Sequence, residues 1–309
     1  MEERILYLNC LSGISGDMAI GALLDLGLDR EAFQRELEKV KVGGYKLKIE
    51  KNQKNGITGT DFDVIIEDPG EPHPDPSKGK QPGHHHDQDH NHHHHGARHH
   101  DQDHNHHHHG VHAYDHGHDQ NHLEGPSHEG RGHHHRNLQD IEKLIEESLL
   151  AEPVKKMSKE IFMHVAKAEA KIHDKPIDQV HFHEVGAIDS IVDIIGVSIL
   201  VHQLNPDRIL ASPLHIGTGF VKCAHGKIPV PAPATLEILK GIPVYSTGIR
   251  SELVTPTGAA IVKALADEFI DIPMMEIEKI GYGLGTKDLE ITNMLRVLYG
   301  KKKRSSGIN

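Results

Sequence analysis

Three stretches of this sequence place metal-binding and proton-moving residue types at useful spacings. In Val180-His-Phe-His-Glu184 the imidazoles of His181 and His183 are two residues apart. An extended backbone turns both to one face, with Glu184 at its end. Asp189 and Asp193 follow, four residues apart, so a helix puts them on one side, one turn apart. The residues around them, 187–204, are apolar nearly all round, and burying carboxylates there is costly unless a cation or hydrogen-bond donors meet them. The segment therefore reads as a metal site, an acid/base site or a hydrogen-bonded structural cluster. In Val221-Lys-Cys-Ala-His-Gly226, Cys223 and His225 share a face if extended. Thiolate plus imidazole suits a soft or borderline cation, although such isolated pairs are usually a small buried cysteine and a hydrogen-bonded histidine.

Histidine itself is the compositional anomaly, with 31 in 309 residues, 23 of them within residues 84–135. Neutral imidazole binds Ni, Zn, Cu and Co, and the interspersed Asp residues add harder oxygen ligands. The twelve residues 85–96 recur without change as 99–110, so His92, His93, His94 and His95 are repeated as His106, His107, His108 and His109. Such a duplication favours histidine dosage over shape. Many mobile ligands make many weak, exchangeable sites, and the order in this affinity series leaves the metal open.

Glycine-rich turns form a further class. Ser12-Gly13-Ile-Ser15-Gly16-Asp17 follows a strand-like run and precedes a helix-like one; Thr255-Pro-Thr257-Gly258 also opens a helix. Helix starts of this kind can receive a phosphate, so Ser12, Gly13, Ser15, Gly16, Thr255, Thr257 and Gly258 are candidate phosphate contacts. Gly281-Tyr-Gly-Leu-Gly285-Thr-Lys287 reads as a third, flexible turn. None matches a Walker A loop or a dinucleotide fingerprint, and no nucleophile elbow is present. His215, Lys222 and Arg250 are polar candidates without assigned partners.

The elements that must position these residues alternate. Arg4–Cys10 reads as a buried strand, 17–26 as a helix ended by Gly27, and 30–40 as a helix capped by Asp29. Tyr45–Lys51 and Asp61–Glu67 alternate apolar and polar residues and read as a hairpin through Asn55-Gly56 and Gly59. Order should stop over residues 69–136, where few apolar side chains offset the entropy of ordering. Helices are predicted from Asn137 to Leu149, from Pro153 to Asp174 and over 187–204. Others run from Pro231 to Lys240 and from Thr255 to Phe269. Strands are predicted over Gln179–Glu184, Arg208–Ile216, Met275–Ile280 and Met294–Tyr299. The expected architecture is α/β, a mixed sheet with flanking helices interrupted by a long disordered His-rich insertion. Its parts are an N-terminal α/β part (1–68), the metal-binding insertion (69–136), the main α/β part (137–300) and a basic tail (301–309).

The charge balance, 34 basic against 45 acidic residues for a net −11, offers no basic face for nucleic acid or anionic membranes. Aromatics are 4% with no Trp, which argues against a base-stacking platform. Two cysteines, Cys10 and Cys223, suit a reduced compartment. The start lacks a secretory pattern, and 187–204 is short for a bilayer span and contains two Asp. A cytoplasmic protein is expected.

Six motifs carry a resemblance: Asn9-Cys-Leu-Ser-Gly-Ile-Ser-Gly-Asp-Met18, His181–Asp193, Gly219-Phe-Val-Lys-Cys-Ala-His-Gly226, Pro229-Val-Pro-Ala-Pro-Ala-Thr235, Glu252-Leu-Val-Thr-Pro-Thr-Gly258 and Lys279-Ile-Gly-Tyr-Gly-Leu-Gly-Thr286. Together they resemble the LarC-type nickel insertion proteins of nickel-pincer cofactor biosynthesis, over nearly all of the chain outside the insertion. The resemblance implies Ni(II) placed into pyridinium-3,5-bisthiocarboxylic acid mononucleotide, between two sulfurs and a ring carbon, by a lyase-class cyclometallase. It implies CTP and Mg or Mn, bound in a C-terminal region of longer members that can lie in a successive reading frame. The product serves lactate racemase-type enzymes. Forming the metal–carbon bond requires removing a ring proton, and His183 or Glu184 is the expected base. Residues 301–309 are expected to be a short-frame tail. The other reading is a non-catalytic nickel store or delivery chaperone built on residues 84–135.

Overall fold

The computed structural model describes residues 2–67, 136–180, 182, 187–223 and 226–303. Apart from Arg136, the expected insertion lies outside the described residues, which all belong to one compact unit.

Strand β1 (Glu2–Asn9) is central because its run Ile5–Leu8 is apolar on both faces. Leu6 and Leu8 enter the main core, while Ile5 and Tyr7 join Leu210 and Leu298 in a small cluster on the other face. Helices α1 (Gly16–Asp25) and α2 (Arg30–Leu37) follow, the second capped by the Asp29 carboxylate as the sequence indicates. Strands β2 (Tyr45–Lys54) and β3 (Ile57–Ile66) form the predicted antiparallel hairpin, closed by Asn55 and Gly56, both at positive φ. Phe62 is buried edge-on against Phe33 of α2 at 6.2 Å.

After the insertion come α3 (Leu138–Glu146), α4 (Glu152–His173) and α5 (Ile188–Leu204). The Asn137–Asp140 capping box starts α3 as predicted. Helix α5 buries most of its length, as its all-round apolar sequence requires. The rest comprises β4 (Arg208–Ala211), β5 (Leu214–His215), the β6–β7 ribbon (Phe220–Cys223, Gly226–Pro229), α6 (Pro233–Ile238), β8 (Val244–Tyr245), α7 (Pro256–Leu265), β9 (Glu268–Phe269), β10 (Glu276–Leu284) and β11 (Met294–Lys303). Seven strands make one mixed sheet in the order β2-β3-β10-β11-β1-β4-β9. The fold class is thus the α/β mixed sheet with flanking helices that the sequence indicates, and strands from both sides of the insertion share one sheet.

Several boundaries differ from expectation, each for a local reason. Gly281–Leu284 is strand, not flexible turn. A Cβ on Gly281 would lie 2.1 Å from the carbonyl oxygen of Ala22, and one on Gly283 would lie 1.8 Å from that of Met18. The glycines are there so that α1 can lie directly on β10. The run 208–216 splits at Ser212-Pro213, because proline offers no N–H to continue a ladder. The helix from Thr255 stops at Leu265, and Phe269 pairs with Ala211 in the sheet. The predicted strand over Gln179–Glu184 is not formed in its described part. Ile177–Gln179 make a 3₁₀ turn after Pro176, and Val180 and Phe182 are buried in irregular backbone. Lys301–Lys303, read as the start of a tail, continue β11 opposite Glu2–Arg4.

Candidate functional site

The starts of α1 and α7 lie side by side. Ile14 N–H donates to the Leu253 carbonyl (2.9 Å), and Thr255 N–H donates to the Ile14 carbonyl (3.2 Å). Glycine permits this approach: a Cβ on Gly13 would sit 1.9 Å from the Leu253 oxygen, and one on Gly258 would sit 2.2 Å from the Ile14 oxygen. The two loops read as separate phosphate candidates, Ser12–Gly16 and Thr255–Gly258, are therefore one structure. Helix α5 closes it, since a Cβ on Gly16 would lie 2.4 Å from Asp193 Oδ2.

The junction is rich in carboxyl groups. Burial holds the Asp193 carboxyl well above the usual carboxylate range, and repulsion from Asp17, Asp189 and Asp63 adds to it. Burial also raises Asp17. Hydrogen bonds from the Ser15 hydroxyl and from the N–H groups of Met18 and Asp17 itself pull the other way. The hydroxyl of Ser15, the residue that precedes α1, is therefore turned to Asp17 and does not cap the helix. At α7, Thr255 Oγ1 accepts from Gly258 N–H (3.1 Å) and contacts Thr257 Oγ1 (2.9 Å). These first-turn donors already have internal partners, so a phosphate at either start competes with Asp17 or Thr255. Asp189 is exposed, and its Oδ1 accepts the Ser190 N–H at 2.8 Å.

Sequence reasoning left Asp17, Asp61 and Asp63 without a role. Asp17 was hidden inside a glycine-rich motif, and only the packing of α1 on α5 turns it towards Asp193. The repulsion from Asp61 and Asp63 of β3 links the hairpin to the same place. His215 also gains partners. It is 3% exposed, stacks on Tyr245 at 4.8 Å, and accepts the Thr247 N–H at Nε2 (3.3 Å). With Nε2 committed as acceptor, the proton sits on Nδ1 and is donated to the Leu11 carbonyl (2.8 Å). His215 thus holds the beginning of the junction loop and is no open ligand.

His181, His183, Glu184 and His225 lie outside the described residues, as do His92–His95 and His106–His109; of Cys223 only the backbone, at the end of β6, is described. Among the described residues, no group of three or more His, Cys, Asp or Glu side chains is placed to hold a metal ion. Asp193 lies against Gly16, and the charges of Asp17 and of Asp189, one turn back on α5, act on it.

The sequence profile of the nickel insertion protein family matches residues 6–308. The chain belongs to this family. Among relatives of the family, a protein of Clostridium acetobutylicum is 48% identical over 301 residues, which cover 97% of this chain and 64% of the relative. One of Clostridium kluyveri is 44% identical over 306 residues (99% and 64%), and one of Acetivibrio thermocellus is 42% identical over 311 residues (99% and 62%). All three are named pyridinium-3,5-bisthiocarboxylic acid mononucleotide nickel insertion protein. The chain spans less than two thirds of the length of these curated relatives. No solved structure matches it. No helix among the described residues is long and apolar enough to cross a membrane.

Proposed function

We propose that this chain acts in the insertion of Ni(II) into pyridinium-3,5-bisthiocarboxylic acid mononucleotide, yielding the nickel-pincer nucleotide used by lactate racemase-type enzymes. Membership of the nickel insertion family supports the reading. The observation that carries it to particular residues is the Asp17–Asp193 carboxyl pair, half-buried where three helices start. The Asp193 carboxyl, disfavoured as a charge by burial and by neighbouring carboxylates, favours a proton or a cation, and the reaction supplies both.

Nickel is a substrate here. Two Ni–S bonds and one Ni–C bond form, one ring C–H bond breaks, and the proton leaves to a base. His183 or Glu184 is the proposed base. His181, His183, Asp189, Asp193, Cys223 and His225 are the proposed holders of the arriving ion. His92–His95 and His106–His109 would gather it from solution through imidazoles that also let it go. CTP with Mg or Mn, bound by a C-terminal region in the same chain or a separate one, and a cytoplasmic setting belong to the same proposal.

The test is insertion followed by absorption spectroscopy and metal analysis, with precursor, Ni(II) and CTP, with and without the relatives' further region. The double variant His183→Ala/Glu184→Gln should lose insertion while keeping its melting profile; full activity in it rejects the assignment. Removing residues 84–135 should leave insertion intact at high nickel. A remaining body that takes up neither precursor nor nickel would make this a storage protein.

A further inference from the structure

The hairpin β2–β3 and the segment 285–293 enclose a cavity of about 550 Å³, and its lysines are met from within. Lys48 pairs with Glu50 and stands cross-strand from Asp63. Lys54 Nζ donates to the carbonyls of Thr286 (3.1 Å) and Lys287 (2.9 Å) and pairs with Asp288 (2.8 Å). Lys287 Nζ donates to the Glu252 carbonyl (3.2 Å) and lies 3.9 Å from its carboxylate. Asn293 completes this wall, donating from Nδ2 to the Lys287 carbonyl (3.0 Å).

Arg296 of β11 is different. Among the described residues its guanidinium makes one hydrogen bond, from Nη2 to Asn9 Oδ1 (3.1 Å), and has no carboxylate partner. Its Nε–H is shut off from water and has no acceptor. The register sets Asn9 of β1 on one side of it and Tyr282 of β10 on the other. Met294 and Leu298 flank it on the same face of β11, so none of these four neighbours is charged. A guanidinium keeps its charge at every ordinary pH. Holding it half-buried with a stranded donor is costly unless an anion meets the N–H groups that remain.

Its place in the sheet suits a ligand. Asn9 is the last residue of β1, and Cys10 and Leu11 lead from it into the junction loop. Strand β1 runs parallel to β4, and β4 to β9. The chain leaving the strands is tied in at this end. Ser212 Oγ, just after β4, accepts the Cys10 N–H (2.9 Å), and the Tyr7 hydroxyl donates to the carbonyl of Ile270, just after β9 (3.1 Å). In open α/β sheets ligands sit outside the carboxyl ends of parallel strands. Asn9 is 5% exposed and fixes the guanidinium before any ligand arrives, which lowers the ordering cost of binding.

We propose that Arg296 anchors the phosphate of the nucleotide substrate. The proposal rests on the substrate proposed above and gives its phosphate a partner. That precursor carries two kinds of anion. Its thiocarboxylate sulfurs must stay free to take nickel, whereas its phosphate monoester offers oxygens matched to the planar guanidinium fork. The starts of α1 and α7 have first-turn donors engaged by Asp17 and Thr255. Arg296 supplies the uncommitted donors that those starts lack.

Calorimetric titration of the full chain tests it with four probes: the precursor mononucleotide, the nucleoside left when its phosphate is removed, nicotinamide mononucleotide and nicotinamide riboside. In the wild type a mononucleotide should bind about tenfold more tightly than its nucleoside, the worth of one charge-assisted hydrogen bond. In Arg296→Gln, which keeps a donor for Asn9, that preference should vanish while nucleoside affinity stays. Arg296→Lys, with the charge but not the fork, should keep part of it. Lys279→Gln, on the exposed part of β10, should keep all of it, and melting curves confirm that each variant folds. A phosphate preference that is absent from the wild type, or that survives in Arg296→Gln, overturns the proposal. Equal loss of mononucleotide and nucleoside overturns it too, because a merely structural arginine would act so. Nicotinamide mononucleotide bound in the expected pattern without the precursor keeps the anchor and removes the proposed substrate. Precursor binding indifferent to Arg296 does the reverse, and a wild type that binds no probe removes both.

Discussion

The carboxyl junction and the polar cavity adjoin, yet they handle charge in opposite ways. At the junction, Asp17 and Asp193 repel each other in a half-buried place, and burial disfavours the charge on both. In the cavity, Lys48 sits beside Glu50 with both side chains well exposed, while Lys54, itself 17% exposed, pairs with the exposed Asp288. Unmet charge costs stability and is discharged by a cation or a proton. Met, exposed charge costs little and trades partners readily.

The contrast can be broken most severely through glycine. At Gly258 an added methyl group meets backbone, which cannot step aside, whereas at Gly285 it meets the side-chain amide of Asn293. Gly258→Ala should cost about 3 kcal/mol and Gly285→Ala clearly less, by denaturant titration. Equal losses would mean that the junction is no more tightly built than the cavity wall.

A smaller effect comes from the buried carboxyl. The folded-state value of Asp193 is raised above its unfolded value, so the folded protein favours the protonated acid. The resulting penalty is absent below the unfolded value near pH 4. It grows as pH rises through the window towards the folded value and stays constant above it. Asp193→Asn should therefore raise the metal-free Tm at pH 7 by a few degrees, and the gain should shrink towards pH 4. Nickel should protect the wild type and not the variant. A pH-independent gain, or a loss, removes the electrostatic account.

The mildest test touches the cavity wall. Lys54→Met removes the donor to Thr286 and Lys287 but keeps the aliphatic stem, and should cost about 1 kcal/mol. Amide hydrogen exchange should quicken over 286–288 and stay unchanged over 13–17. Faster exchange at both places would show that the two regions move as one.

Much of the scaffold was legible because local rules govern it. The alternation in Tyr45–Lys51 and Asp61–Glu67 with Asn55-Gly56 between them describes a hairpin; the Asn137–Asp140 box starts a helix; an all-round apolar run is a buried one. The misread pieces depend on neighbours. Gly281 and Gly283 look like a turn until α1 is known to press on them. The segment after Pro176 looks extended until its apolar residues are seen to fill the core without pairing. For the same reason Asp17 passed unnoticed and the two glycine-rich loops were counted separately.

The amino-acid sequence alone settled the family, the clustering of imidazoles between residues 84 and 135 and the kinds of atom available to a borderline metal. Those are properties of residue type and order. Tertiary structure alone decided that Ser12–Gly16 and Thr255–Gly258 meet, that Asp193 faces Asp17 across Gly16, and that Asp61 and Asp63 stand between a lysine-bearing cavity and that pair. Side chains far apart in the chain acquire their electrostatics only when the sheet and its helices bring them within a few ångströms.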